Sequence, residues 1–135
     1  MKLMRYINLF AKISGVTTTK VFVYNNQIIF AVPKNRVSVA IGRGAVNVKK
    51  LNEILRRNIK IIAMPEKDNV GDISKFVGDV VAPVEFNKID IRNDSVVITA
   101  GRQSKAALIG RGRQREKELS EVLKNFFRIT KFKIA

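Results

Sequence analysis

The chain has 135 residues, 46% of them hydrophobic, and a net charge of +15 from 26 Lys and Arg against 11 Asp and Glu. That much apolar material supports one medium core or two small ones and excludes wholesale disorder, while the charge draws polyanions: RNA, DNA, an anionic membrane surface or an acidic protein tail. Cys and His are both absent, which excludes disulfides, zinc sites with Cys or His ligands, and Ser-His or Cys-His catalytic pairs.

In chain order, Leu3, Ile7, Phe10 and Ile13 recur at helical spacing, so residues 2–14 read as an amphipathic helix ending near Gly15. Lys2, Arg5 and Lys12 break its apolar residues, so it has no secretory h-region. No apolar run approaches the roughly 18 residues that span a bilayer, and a soluble, cytoplasmic protein without membrane contact is expected. Val21 and Val23 alternate along a strand, Asn25-Asn26 marks a hairpin turn, and Ile28–Val32 returns as its partner. Arg36 to Ile41 reads as a short helix, interrupted by Gly42-Arg43-Gly44. Val46, Val48, Leu51, Ile54 and Leu55 then mark the apolar face of a longer helix. Ile59–Met64 is a buried strand closed by Pro65, and a short connection follows at about 65–69.

The second half repeats this order. A short helix is expected over about Val70–Gly78, strands near Val84–Arg92 and Val96–Ala100 about an Asn93-Asp94 turn, helices on either side of Gly110-Arg111-Gly112, and a last strand over Arg128–Ile134. The repetition is also literal. Lys20–Met64 lies without a gap over Lys88–Phe132 at a constant offset of 68, with identities at Lys20, Asn25, Ile41, Gly42, Arg43, Gly44, Lys49, Leu51, Glu53, Leu55 and Ile61. The chain therefore reads as a duplicated α-β-β-α-α-β unit.

The glycine loop between two helices carries the chemistry. Glycine permits close approach of a ligand and positive φ, and the helix that follows aims free N–H groups and partial positive charge into the loop. Lys34, Arg36, Arg43, Lys49 and Lys50 surround the first loop, and Arg102, Lys105, Arg111, Arg113, Arg115 and Lys117 the second. Residues 1–65 hold 12 Lys and Arg against the single acid Glu53, a balance of +11, and residues 66–135 hold 14 against 10, a balance of +4. Acids gather at 66–90, a stretch expected to turn away from nucleic acid toward a basic or protein partner. Neither Gly-Arg-Gly continues into the Gly-Lys-Ser/Thr of a Walker loop, and no acidic pair has a catalytic spacing.

Ile-Gly-basic-Gly before a helix, inside an α-β-β-α-α-β unit, resembles the GXXG loop of type II KH domains, which grips about four single-stranded nucleotides. Two such units in tandem resemble the archaeal NusA-like transcription factors, and Ala40–Lys49 is especially similar to the first KH loop of that family. The resemblance covers residues 2–134. It implies an α+β fold of two tandem type II KH domains, 1–65 and 66–135, each a three-stranded sheet packed on helices. It implies a transcription elongation or termination factor rather than an enzyme, a monomer that binds single-stranded RNA and works with RNA polymerase or other transcription proteins, without cofactor or metal. A KH protein of the ribosome or its assembly is the alternative.

The implied RNA contacts are Gly42, Arg43, Gly44, Ala45, Lys34, Arg36 and Lys49 in the first copy, and Gly110, Arg111, Gly112, Arg113, Arg102, Lys105 and Arg115 in the second. Both copies depart from the pattern at its fourth position, where Ala45 and Arg113 stand in place of glycine. Alanine suits a first helical turn; Arg113 either crowds the bound backbone or adds a phosphate contact. Val32, Val37, Ala40 and Ile41 are candidate groove residues for bases or plain core. Tyr24 is the best candidate for an exposed aromatic platform, while Phe10, Phe30, Phe76, Phe126 and Phe127 fit core positions.

Overall fold

The computed structural model describes residues 2–65 and 70–135, and the chain divides into two compact units between residues 67 and 68. The expected connection at 65–69 lies outside the described residues apart from Pro65. No helix among the described residues is long and apolar enough to cross a membrane.

The first unit runs α1 (Lys2–Ser14), β1 (Lys20–Tyr24), β2 (Gln27–Pro33), a 3-10 turn (Lys34–Arg36), α2 (Val37–Ile41), a second 3-10 turn (Arg43–Ala45), α3 (Val46–Leu55) and β3 (Asn58–Met64). β1 and β2 pair antiparallel across a two-residue turn whose Asn25 and Asn26 have φ of 51° and 63°. Asparagine tolerates that left-handed conformation better than most residues, so the turn closes without glycine. β2 and β3 run parallel, from Gln27 opposite Asn58 to Pro33 opposite Met64, and α2 and α3 form the crossover that parallel pairing demands. Ile28 to Val32 are all buried, which is why this central strand reads as an unbroken apolar run. Phe10 of α1 stacks on Phe30 of β2 with ring centroids 4.2 Å apart, and Val16, Val21, Ile28, Val32, Ala40 and Leu51 complete the core. Truncating a ring so placed costs about 3–5 kcal/mol.

The second unit runs α4 (Val70–Val81), β4 (Lys88–Arg92), β5 (Ser95–Thr99), α5 (Arg102–Ile109), a 3-10 turn (Arg111–Arg113), α6 (Gln114–Phe127) and β6 (Lys131–Ile134). β4 and β5 pair antiparallel and β5 and β6 parallel, as in the first unit. The architecture is α+β, with a three-stranded sheet in each unit. α4 passes the expected end at Gly78 because Val80 and Val81 are still buried on it, so β4 starts at Lys88 rather than Val84. Phe76 of α4 meets Phe126 and Phe127 edge-on, at 6.1 and 5.2 Å.

The gapless repeat needs one correction. The offset of 68 holds through Leu55 and Leu123, but the strands that follow are offset by 73: Ile28 faces Ile59, whereas its counterpart Val96 faces Phe132. α6 has 14 residues where α3 has 10, and the connection after it is one residue longer. Ile61 is a strand residue facing Phe30. Ile129, its match in the gapless alignment, closes a helix instead: its N–H bonds the Leu123 carbonyl at 3.2 Å, past the left-handed Arg128. The Arg128 N–H also bonds the Lys124 carbonyl at 3.1 Å, an αL cap with a buried apolar residue beyond it. The last strand accordingly starts at Lys131, not Arg128.

Candidate nucleic-acid interface

Both loops are built the same way. In the first, Gly42 ends α2 with its N–H on the Ser38 carbonyl at 3.0 Å and φ/ψ of 83°/163°, a region open essentially to glycine alone. Gly44 (63°/25°) and Ala45 (60°/30°) are both left-handed, and α3 starts at Val46 with no side chain capping it. In the second, Gly110 (74°/171°), Gly112 (61°/23°) and Arg113 (62°/22°) reproduce these angles, and α6 is again uncapped by a side chain. Within each bend the backbone bonds itself, Ala45 N–H to the Gly42 carbonyl and Val46 N–H to the Arg43 carbonyl, Arg113 N–H to Gly110 and Gln114 N–H to Arg111, and a helix N-terminus without a side-chain cap suits anions.

The two glycines of each loop do different work. A Cβ on Gly44 or Gly112 would meet nothing within 4 Å, so these face open space. A Cβ on Gly42 would come within 2.9 Å of Asn47 Nδ2 and Val46 Cγ1, and one on Gly110 within 2.9 Å of Arg115 Cγ. The first glycine makes room for the protein itself; the second borders open space.

The expected cations divide likewise. Arg43 and Lys49 are exposed at the first loop and on the first turn of α3, whereas Lys34 and Arg36 sit on the 3-10 turn at the other end of α2. Arg102 and Arg111 are exposed, and Lys105 is half-buried on α5. Arg113 is exposed with its Nε 3.8 Å from Glu116 Oε1. The Arg115 guanidinium donates to the Ala107 carbonyl at 3.0 Å and so is turned inward onto α5. Its place beside the loop suggested a phosphate contact; its hydrogen bond adds a protein contact. Ala45 is not a first-turn helical residue either, since its left-handed backbone lies outside the helix.

The residues weighed as groove or core divide, with Val37 and Ile41 half-buried. Val32 and Ala40 are fully buried in the core, and Tyr24 is only 4% exposed, so it forms no platform. Val39 and Val46, 46% and 47% exposed, flank the loop instead. Val46 was expected on the apolar face of its helix, and its exposure, like that of Ile54 at 56%, departs from that reading. Two adjoining depressions of about 520 and 450 Å³ share Asn52, Glu53 and Asn58 along α3 and the start of β3. One adds Asn26, Arg56 and Arg57, the other Gln27, Val48, Lys49 and Ile59. No local motif announces them, because the fold gathers them from three separate segments. Among the described residues, no cluster of three or more acidic, Cys or His groups is placed to hold a metal.

A KH domain family model matches residues 4–71, about half of the chain and including the whole first glycine loop. The chain belongs to the KH domain family. Two archaeal relatives share the name "Probable transcription termination protein NusA": one from Methanococcus vannielii, 28% identical over 77% of this chain and 60% of its own length, and one from Methanocaldococcus jannaschii, 26% identical over 95% and 69%. The chain thus spans less than two thirds of the first of these and little more than two thirds of the second. The crystal structure of APE1850 superposes with a TM-score of 0.67 at 31% identity, covering 98% of this KH chain and 96% of its own.

Proposed function

We propose that this chain is a single-stranded RNA-binding factor of transcription elongation or termination, similar to NusA, and not an enzyme. In this reading it consists of two KH domains, 1–65 and 66–135, each gripping the sugar-phosphate backbone at its glycine loop. The observation that carries it is the pair of superimposable loops, each with an open second glycine, an uncapped helix start and an exposed arginine between its glycines. KH loops of this shape clamp about four nucleotides. The relatives' shared name directs the proposal to transcription and to RNA polymerase or its associated proteins as partners. In the first domain, Gly42–Ala45 with Arg43 and Lys49 takes the phosphates, Val39 and Val46 flank them, and the carboxamide-lined depressions along α3 receive bases. The second loop is the weaker grip, because Arg115 is committed to Ala107 and Arg113 lies beside Glu116. Joining the two clamps in one chain makes the second contact intramolecular and raises its effective concentration.

Gly44→Asp and Gly112→Asp test this. Each sets a carboxylate where a phosphate belongs, at a position with empty surroundings and a left-handed φ that aspartate tolerates, so folding survives. Gly44→Asp should weaken binding of a labelled oligouridylate by about tenfold or more, and Gly112→Asp by less. Native affinity in both variants would defeat the proposal.

A further inference from the structure

We infer that Asn47 and Arg115 are positioning residues: each latches the helix after its glycine loop to the end of the helix before it, and holds the loop in its gripping shape. The inference rests on the RNA-clamp reading above. Asn47, in the first turn of α3, donates from Nδ2 to the carbonyls of Ala40 at 3.1 Å and Val39 at 3.3 Å, in the last turn of α2. Arg115, in the first turn of α6, donates from a guanidinium nitrogen to the carbonyl of Ala107 at 3.0 Å, in α5. Positions 47 and 115, and 39 and 107, correspond under the offset of 68, so two unlike side chains tie the same two points.

The carbonyls they reach stand at a helix C-terminus, where they lack intrahelical partners and favour a donor. Each side chain passes directly over the first glycine of its loop, close enough that a Cβ there would collide with Asn47 Nδ2 or Arg115 Cγ. That glycine and the latch are therefore one device. The bend it closes contains two successive left-handed residues, Gly44-Ala45 or Gly112-Arg113, a conformation that alanine and arginine hold only under restraint. With the backbone angles of the two loops agreeing within a few degrees at their second glycines, an arginine borrowed from the second copy fits the first.

The test compares Asn47→Ala, Asn47→Arg and Gly44→Asp in the full chain, reading oligouridylate affinity, its salt dependence, and hydrogen exchange of the loop amides without RNA. Asn47→Ala should lower affinity by about fivefold and speed exchange at Gly42–Val46, the loss expected when the two side-chain hydrogen bonds of the latch go. Asn47→Arg should return both to within about twofold of native, with the salt slope unchanged, because the new cation is spent on carbonyls. Native affinity and exchange in Asn47→Ala would overturn the latch. So would an Asn47→Arg variant no better than Asn47→Ala, or one whose salt slope steepens by about one, which would put that side chain on a phosphate. If Gly44→Asp binds normally while exchange still follows the latch, the clamp reading fails and the latch stands as a structural tie.

Discussion

Ala45 and Arg113 hold φ of 60° and 62°, a conformation that costs an L-residue about 1–2 kcal/mol and glycine almost nothing. The sequence showed that both depart from the family pattern at this position but concealed the backbone that makes the departure matter, since alanine also reads as a good helix starter. Ala45→Gly should therefore stabilise the chain by about 0.5–1 kcal/mol, after allowing for glycine's greater freedom when unfolded, and thermal melting measures it. A fall in melting temperature would mean that the loop relaxes around alanine. The Arg115 hydrogen bond was hidden for a related reason. A basic residue beside a glycine loop reads as a phosphate contact, and the carbonyl it also bonds is eight residues away in sequence.

At the scale of elements, the order α-β-β-α-α-β, the hairpin turns and the loop-flanking helices were all legible from periodicity and from the repeat. The extra turn of α6 was not. Ile61 and Ile129 are identical and both apolar, so nothing local distinguishes a strand residue from a helix-capping one; the sheet register does. In the second unit the connection into β6 is held by the β4–β5 turn: the Asp94 carbonyl accepts from the N–H groups of Thr130 and Lys131, and its carboxylate accepts from the Thr130 hydroxyl at 2.8 Å. The hydroxyl first, then a backbone hydrogen bond and the Lys131 charge, hold the Asp94 carboxyl below its ordinary value. A carboxyl depressed on folding contributes stability that is present above its unfolded pKa and lost as pH falls through the folded one. Thr130→Val should raise the Asp94 pKa, as followed by NMR titration. It should also destabilise the chain at neutral pH, with the gap narrowing in acid below about pH 4. A gap that stays constant with pH would show that the hydroxyl acts without the carboxylate.

Over the whole molecule, composition points to a polyanion partner, and the excess positive charge is unevenly placed. The first unit faces its loop with Arg43 and Lys49 and has Glu53 as its only acid up to residue 65, whereas the second sets Glu116 and Ala107 against its own arginines. Binding should consequently weaken steeply with salt, and Gly44→Asp should flatten the dependence of log K on log salt more than Gly112→Asp. Equal flattening would assign the two copies equal shares of the phosphates. The depressions along α3 stayed hidden in the sequence because Asn26, Asn52 and Asn58 belong to a turn, a helix and a strand that only the parallel pairing of β2 and β3 draws together.

The change of offset after Leu55 and Leu123 also limits how the two halves can be exchanged. A hybrid spliced at Leu51 and Leu119, both fully buried and still in step, swaps everything upstream, glycine loop included, and leaves each helix to finish with its own cap and strand. One spliced at Ile61 and Ile129, where the residues are identical, would graft the middle of a strand onto the end of a helix. The safe seam lies inside the helix, not at the letter-for-letter match nearest the end.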